Sequence, residues 1–238
     1  MHEILGAIPH AIPISLAGAL NTLSAGLVLI CAFAMVATRQ VQGVVRFFVI
    51  QSLLLAASCF VLAAGGRSVH LWALGVITVA AKAIAIPWVL RRTLARDLYV
   101  RREIAQAVNI PASLLLSLLL AIFAELLVGP LSAGSGDPVI IVNLPIGLAC
   151  VFVGAYSLMA RREAVPQLIG ILAMENGAFF AGIAIAAELP LIAELSVAFN
   201  VILIVVIVGL VARNIQQTLG TTEAGALTKL KEEPGTWR

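Results

Sequence analysis

Residues Leu71–Leu90 read LWALGVITVAAKAIAIPWVL, an apolar run whose one charged residue, Lys82, stands near its middle. A helix that crosses the hydrocarbon core of a bilayer needs about 20 apolar residues in succession. The run has that length and is rich in residues that form helices. It therefore predicts a transmembrane helix with a lysine close to the membrane midplane.

The whole chain has the composition of a membrane protein. Of its 238 residues, 61% are hydrophobic and 11% are charged, and the mean hydropathy is +1.08. A typical soluble domain carries about 25% charged residues. The apolar runs follow one another without a polar block between them, so we expect one membrane domain and no nucleic-acid partner.

Seven apolar runs predict seven helices that cross the membrane. Several prolines stand at or near the starts of these runs, where a missing N–H costs a helix nothing. The second run is the weakest, because it is short and contains Gln51, Ser52 and Ser58. The predicted spans are Ile14–Ala37, Phe47–Ala64, Leu71–Leu90, Ala112–Leu131, Val139–Met159, Ala164–Ala187 and Leu191–Ala212.

The positions of the basic residues predict the orientation. With the N-terminus outside, the outer loops hold only Arg67. All other basic residues except Lys82 then lie on the cytoplasmic side, as the positive-inside rule requires. They are Arg39, Arg46, Arg91, Arg92, Arg96, Arg101, Arg102, Arg161, Arg162, Arg213, Lys229, Lys231 and Arg238. The sequence thus predicts an all-α integral membrane protein with about seven transmembrane helices, its N-terminus outside and its C-terminus in the cytoplasm.

Cysteine and histidine spacing predicts no metal and no redox cofactor. Cys31, Cys59 and Cys150 lie in separate apolar runs without a CxxC spacing. The three histidines fall at the N-terminus or in a loop, so no pair of membrane histidines could hold a haem. We expect no catalytic centre in this chain.

Four ionisable residues lie inside the predicted spans: Lys82, Glu125, Glu175 and Glu194. An ionised residue near a helix centre costs about 2.5–3.5 kcal/mol on insertion scales, so each requires a reason. Lys82 and Glu175 are nearest the midplane and could partner each other. Two interpretations stay open, a structural ion pair and a proton-transfer role, which we favour. For Glu125 we favour snorkelling or a local hydrogen bond, and Glu194 could simply reach the outer water.

The fifth predicted span carries a stripe of small or polar residues at helical spacing: Asn143, Gly147, Cys150, Gly154 and Ser157. Such a face lets helices approach closely in lipid. We favour close helix packing over a solvated channel wall.

The cytoplasmic connection from Arg91 to Asn109 alternates arginines with Leu94, Leu98 and Ile104. It could form a short helix on the membrane surface. Contact with lipid headgroups and docking against a partner subunit are both open interpretations.

The segment Ile171–Gly177, which reads ILAMENG and follows Arg161-Arg162, resembles the E component of hydrogenase-4, a membrane subunit of formate hydrogenlyase-type complexes. Further stretches resemble that family along essentially the whole chain: Lys82 with Pro87, Leu191–Ile215, Gly220-Thr221 and Leu227–Lys231. The last three helices are similar to the small K subunit of respiratory complex I and to the C subunit of multisubunit cation/proton antiporters.

The resemblance implies a membrane-arm subunit without catalytic residues, metal or cofactor, in a bacterial inner membrane. Its partners would be antiporter-like and other membrane-arm subunits. It implies a proton path through Lys82, Glu175 and Glu194. Where an acid is expected in the last helix, the chain has Asn200, which can bind water but cannot titrate. Residues 1–131 would form a four-helix portion, 132–215 a K-like three-helix portion and 216–238 a cytoplasmic tail.

Two other classes of protein remain as alternatives. A stand-alone transporter of small solutes or ions often shows internal repeats and helices broken within the membrane. We find no repeat, and Pro145 is the only proline well inside a predicted span. A light sensor with Lys82 as its Schiff-base lysine would need aromatic walls, and near Lys82 only Trp88 qualifies.

Overall fold

The computed structural model describes residues 13–93, 109–161 and 164–185, with only the backbone described for 91–93 and 164. This part of the chain is helical and contains no strand. Its elements are α1 (Ile14–Ala37), α2 (Val41–Ala64), α3 (His70–Thr78), a π-helical segment π1 (Val79–Ala85), α4 (Ile86–Thr93), α5 (Ile110–Gly134), α6 (Pro138–Ala160) and α7 (Ala164–Ile185).

Six stretches of the described chain are long and apolar enough to cross a membrane. They are α1, α2, the continuous α3–π1–α4 stretch, α5, α6 and α7. The all-helical membrane architecture is therefore confirmed for these six. The seventh predicted span, Leu191–Ala212, lies outside the described residues. So do most of the Arg91–Asn109 connection and the predicted tail.

The predicted helix bounds agree closely with the structure except at the start of the second span. The first span, Ile14–Ala37, coincides with α1. The second was predicted to begin at Phe47 but begins at Val41, which is a correction. Gln42 and Arg46 lower the hydropathy of this first turn. A helix end tolerates them, because a long arginine side chain such as that of the exposed Arg46 can extend toward the interface.

Helices α1, α2, α6 and α7 form the centre of the bundle. Helix α5 packs against α6 and α1, whereas α3 and π1 pack against α2. Successive helices run in opposite directions, so the bundle has two ends, and each is named below after the arginine that lies there. At the Arg67 end, Arg67 bonds Asp137 and the carbonyl of Ala184. At the Arg161 end, the buried Arg161 donates to the carbonyls of Met35 and Thr38.

Helices α6 and α7 meet through glycines. A Cβ on Gly147 would lie 2.6 Å from the carbonyl oxygen of Gly177, and a Cβ on Gly154 would lie 3.0 Å from that of Gly170. No larger residue fits at these distances, so the backbones touch. All five residues of the predicted stripe on α6 are buried. The structure therefore agrees with the packing interpretation of that stripe.

The buried apolar residues form two clusters along the bundle. One lies toward the Arg161 end and includes Met35, Phe48 and Leu172. The other lies toward the Arg67 end and includes Leu55 and Phe180. On α2 and on α7, polar residues occupy the level between these two clusters, and it is there that the candidate site lies.

Candidate functional site

Lys82 and Glu175 form an ion pair inside the bundle. The Nζ atom of Lys82 lies 2.9 Å from Oε1 of Glu175, and the two side chains are 1% and 12% exposed. The lysine comes from π1 and the glutamate from α7, which are far apart in sequence. The two residues that the sequence placed near the midplane are thus direct partners.

The backbone around Lys82 departs from the α-helix. The N–H of Ile86 donates to the carbonyl of Ala81, five residues back, as in a π-helix. Pro87 follows and has no N–H to offer, so the regular α-helical bond to Ala83 is not available. A π-helical turn inside an α-helix is rare and often marks a functional site. Lys82 is the buried residue of this segment.

Asn176 links the ion pair to α2. Its Oδ1 atom accepts a hydrogen bond of 2.9 Å from Nζ of Lys82. Its Nδ2 atom donates to Oε1 of Gln51 at 3.2 Å and to Oγ of Ser52 at 3.0 Å. The amide orientation follows from the chemistry, because an ammonium can only donate and so requires the oxygen of Asn176. Gln51, Ser52, Lys82, Glu175 and Asn176 are called the charged cluster below.

The charged cluster is anchored to the backbone and enclosed by apolar residues. Gln51 donates to the carbonyl of Val28 on α1 at 3.4 Å, and Ser52 donates to the carbonyl of Phe48 at 3.0 Å. The Lys82 ammonium also lies 5.6 Å from the centre of the Phe179 ring, within the range of a cation–π contact. The cluster therefore joins π1, α1, α2 and α7.

One carboxylate oxygen of the charged cluster can accept further hydrogen bonds. Oε2 of Glu175 is buried and has no hydrogen-bond partner within residues 13–93, 109–161 and 164–185. A buried carboxylate oxygen without a partner is costly, and native proteins keep few of them. The pair can exist as ammonium and carboxylate or as amine and carboxylic acid. The transfer of one proton between Nζ and Oε1, which lie 2.9 Å apart, converts one form into the other, so the arrangement can hold and pass a proton.

A second buried polar group contains no charge. Asn21 on α1 and Asn143 on α6 exchange hydrogen bonds of 2.7 and 3.3 Å between their amides. Ser58 on α2 donates to Oδ1 of Asn21 at 2.5 Å. Asn21, Ser58 and Asn143 are called the neutral cluster below, and it lies nearer the Arg67 end. It joins α1, α2 and α6 without an ionisable group.

Of the remaining predicted residues, the structure describes Glu125 and separates it from the charged cluster. Glu125 is exposed on α5 and is not among the contacts of the cluster. Glu194 and Asn200 lie outside the described residues. Gln167, two turns before Glu175 on α7, donates to the carbonyl of Arg161 at 2.7 Å. On α3, the ring of Phe60 packs where a Cβ on Gly75 would lie.

Sequence reasoning did not assign a role to Asn176, Gln51 or Ser52. All three are completely buried. A signal was available: Gln51 and Ser52 are polar residues in an apolar run, and Asn176 follows the midplane glutamate directly. In lipid such side chains are expected to turn inward and to find each other.

Comparisons with known proteins find one relative along most of the chain and others along a part of it. The chain is 26% identical over 210 residues to the uncharacterized protein Rv0085 of Mycobacterium tuberculosis, covering 88% of this chain and 94% of that protein. It is 31% identical over 88 residues to the hydrogenase-4 component E of Escherichia coli K12, covering 37% of this chain and 41% of that protein. The same identity and coverage hold for the hydrogenase-4 component E of Shigella flexneri.

The similarity to component E thus spans less than half of either protein, a smaller share than the whole-chain resemblance expected from the motifs. No family model matches the chain. No solved structure matches it. The relation to component E is therefore partial, and it agrees with a multi-pass membrane protein.

Proposed function

We propose that this chain is a non-catalytic membrane-arm subunit of a complex I-like or group 4 hydrogenase-like oxidoreductase, and that its charged cluster forms part of a proton path. The observation that carries the proposal is the Lys82–Glu175 pair, 2.9 Å apart and enclosed by apolar helices. An ionisable pair at this depth is costly and is a mark of ion or proton pathways. The partial similarity to hydrogenase-4 component E supports the same class.

The chemistry of the cluster supports proton transfer more than a purely structural bond. A structural link between helices can be made by neutral groups, as Asn21, Ser58 and Asn143 make it. Lys82 and Glu175 add a titratable acid and base, with one carboxylate oxygen free of hydrogen bonds among the described residues. A neighbouring group or water that reached this oxygen would continue the path. Glu194 and Asn200 are our candidates for the next positions.

The proposed environment is a bacterial inner membrane, with antiporter-like and other membrane-arm subunits as neighbours. The partner test uses the tagged full-length chain, extracted from its own membranes in a mild detergent. Co-purification of antiporter-like subunits with a hydrogenase-like large subunit is the expected result. A well-behaved monomer that transports a solute by itself would contradict the proposal and favour a stand-alone transporter.

The proton test uses Glu175→Gln in the assembled complex. Glutamine keeps the shape and one acceptor oxygen but cannot exchange a proton, so we expect normal assembly and strongly reduced proton translocation in inverted vesicles. Ser58→Ala, which removes one bond from the neutral cluster, is the matched control and should leave translocation unchanged. Normal assembly together with full translocation in Glu175→Gln would overturn the proton role.

The proposed topology has seven spans with the N-terminus outside. Cysteines introduced at positions 137 and 217 test it with a membrane-impermeant thiol reagent in intact cells. We expect labelling at 137 and protection at 217. The opposite pattern would invert the orientation.

A further inference from the structure

Helix α5 is the least buried of the long helices. Four of its 25 residues are buried within the described chain: Ser113, Ser117, Ala124 and Ser132. These residues face α6 and α1, and Tyr156 of α6 donates a 2.7 Å hydrogen bond to Ser113. The remaining surface of α5 is mostly leucine, isoleucine and phenylalanine, and such a surface suits either lipid or another helix.

Glu125 lies on this exposed surface at membrane depth. Counted along α5, it stands about 5 Å from the helix midpoint, well inside a hydrocarbon core of about 30 Å. Leu118 and Ile122 share its face, and each is 48% exposed. An acid facing lipid at this depth is unfavourable in its charged form, so intramembrane acids almost always face protein or water. If this position only contacted lipid, an apolar residue such as leucine would be more favourable there than Glu125.

The carboxylate of Glu125 lies against Gly129 on the same helix. A Cβ on Gly129, one turn further on, would lie 3.0 Å from Oε1 of Glu125, so the carboxylate rests against a residue that has no side chain. Pro130 follows and leaves the carbonyl of Leu126 without its usual N–H donor. The carboxylate of the exposed Glu125 is therefore an acceptor on α5 that a cation or a strong donor would satisfy.

The described chain supplies no such cation. Lys82 is bonded to Glu175 and Asn176. Arg67 is bonded to Asp137 and to the carbonyl of Ala184 at the bundle end. Outside the described residues, the predicted span Leu191–Ala212 contains no lysine or arginine. No described lysine or arginine pairs with Glu125, so another polypeptide is our candidate for the source of its counter-charge.

We propose that this face of α5 (Leu118, Ile122, Glu125 and Gly129) is the docking surface for a transmembrane helix of another subunit, which presents a lysine or arginine to Glu125. The inference rests on the proposed function, because it takes the chain as part of a multi-subunit membrane complex. A second copy of this chain is a poorer occupant, since it would bring a second carboxylate to the same place.

The test combines cross-linking with a charge swap in the native complex. A photoreactive phenylalanine analogue replaces Leu118 or Ile122 in the tagged full-length chain, and the cross-linked peptide is identified by mass spectrometry. We expect a peptide from a membrane helix of another subunit that contains a lysine or arginine. Glu125→Lys should then lower recovery of that subunit at least tenfold, and changing its basic residue to glutamate should restore recovery.

Leu127→Lys is the matched control. Leu127 is 56% exposed on α5, two positions along and so on the opposite side of the helix from Glu125. Any loss that Leu127→Lys causes through poor insertion should not be restored by the swap in the partner. Restoration of both variants to the same degree would contradict a specific pairing with Glu125.

The outcomes separate this inference from the proposed function. Cross-links only to lipid, to a second copy or to residues 186–238 of the same chain would overturn the docking surface, even where the expected subunits co-purify. A cross-linked helix without a basic residue would also overturn it. Absence of every membrane-arm partner from the purified material would instead reject the proposed function, and the docking surface with it.

Discussion

The two buried polar clusters of this bundle have similar positions but different chemistry. Both are enclosed, and both use residues of α2. In the neutral cluster, Asn21 and Asn143 exchange donor and acceptor, and Ser58 completes the set. In the charged cluster, an ammonium and a carboxylate meet, and one carboxylate oxygen has no hydrogen bond among the described residues.

This difference indicates that one cluster stabilises the helix bundle and that the other is suited to binding a proton. Buried amides and hydroxyls stabilise a bundle when they are paired, and they have one protonation state near neutral pH. A buried ion pair is weak evidence for stability, because desolvation offsets its attraction. The charged cluster is thus a poor choice for joining helices and a good one for holding a proton. Four predictions test this division, in order of decreasing expected effect.

Replacing Lys82 by an apolar residue should have the largest effect, larger than that of Glu175→Gln, whose amide oxygen can still accept from Lys82. Lys82→Met strands Glu175 in an apolar setting, and breaking a buried pair in this way costs about 3–5 kcal/mol. We expect a large drop in the unfolding temperature of the detergent-solubilised protein. Lys82→Met combined with Glu175→Gln leaves no charge and should recover most of the loss without recovering proton translocation. Equal stability of the single and double variants would show that the pair is not energetically coupled.

Separating α6 from α7 should damage both clusters together. Gly177 follows Asn176, and Gly147 lies one turn from Asn143, so the contact of the two glycines connects the clusters. In Gly177→Ala the new Cβ would lie 2.6 Å from the carbonyl oxygen of Gly147. Overpacking of this kind costs about 1–3 kcal/mol. Thermal unfolding and proton translocation should both fall.

Gly182→Ala is the control for that variant. Gly182 is on the same helix, and a Cβ there meets nothing within 4 Å among the described residues. We expect unchanged or slightly raised stability, because alanine is the better helix former by about 1 kcal/mol. A loss in Gly182→Ala as large as that in Gly177→Ala would show that the glycine contact is not the cause.

Truncating the neutral cluster should lower stability alone. Asn143→Ala leaves the amide of Asn21 with only Ser58 as a partner, and an unsatisfied buried polar group costs about 1–3 kcal/mol. Proton translocation by the protein that still assembles should stay normal. Asn176→Ala makes the matched comparison, because it should lower stability by a similar amount and also reduce translocation. Reduced translocation per assembled complex in Asn143→Ala would break the division between the two clusters.

The spans were readable from the sequence because hydropathy alone locates them. The run Ile14–Ala37 is bounded by Pro13 and by Thr38-Arg39, and α1 keeps these bounds. The start of α2 was placed six residues late, because hydropathy treats Arg46 as a break whereas a helix end does not. Depth in the membrane follows from position in a span, and this is why Lys82 and Glu175 could be paired in advance.

The side chains that surround the Lys82–Glu175 pair could not be predicted from hydropathy. The membrane helices are apolar on all sides, so their sequences do not show which face turns inward. The face is set by neighbouring helices, and the partners of Asn176 come from Gln51 and Ser52 more than a hundred residues earlier. Pro87 weakens the helix past Lys82 because it lacks an N–H, but the π-helical turn itself depends on how that segment packs.

The smallest expected effect concerns the second ion pair, between Arg67 and Asp137 at the Arg67 end. Its side chains are 24% and 32% exposed and lie 2.8 Å apart. The hydrogen bond from Arg67 holds the pKa of Asp137 below its ordinary value of 3.8. Solvent screens such a pair, and exposed pairs contribute about 0.2–1 kcal/mol. This pair carries the same charges as Lys82–Glu175 but is partly exposed to solvent. Breaking it should therefore cost much less.

The sign of its pH dependence follows from the lowered pKa. Above pH 3.8 the unfolded state also carries the carboxylate, so the full contribution is present there. As the pH falls through the lower pKa of the folded state, the carboxylate is protonated and the contribution is lost.

Asp137→Asn keeps an oxygen to accept the 2.8 Å bond from the Val139 N–H but removes the charge. The unfolding temperature of the native chain should therefore exceed that of Asp137→Asn by a small constant amount from pH 5 to 7. This difference should shrink as the pH falls below 3.8 and vanish below the lower pKa of the folded state. A difference that grows on acidification would mean that Asp137 is not stabilised as a carboxylate.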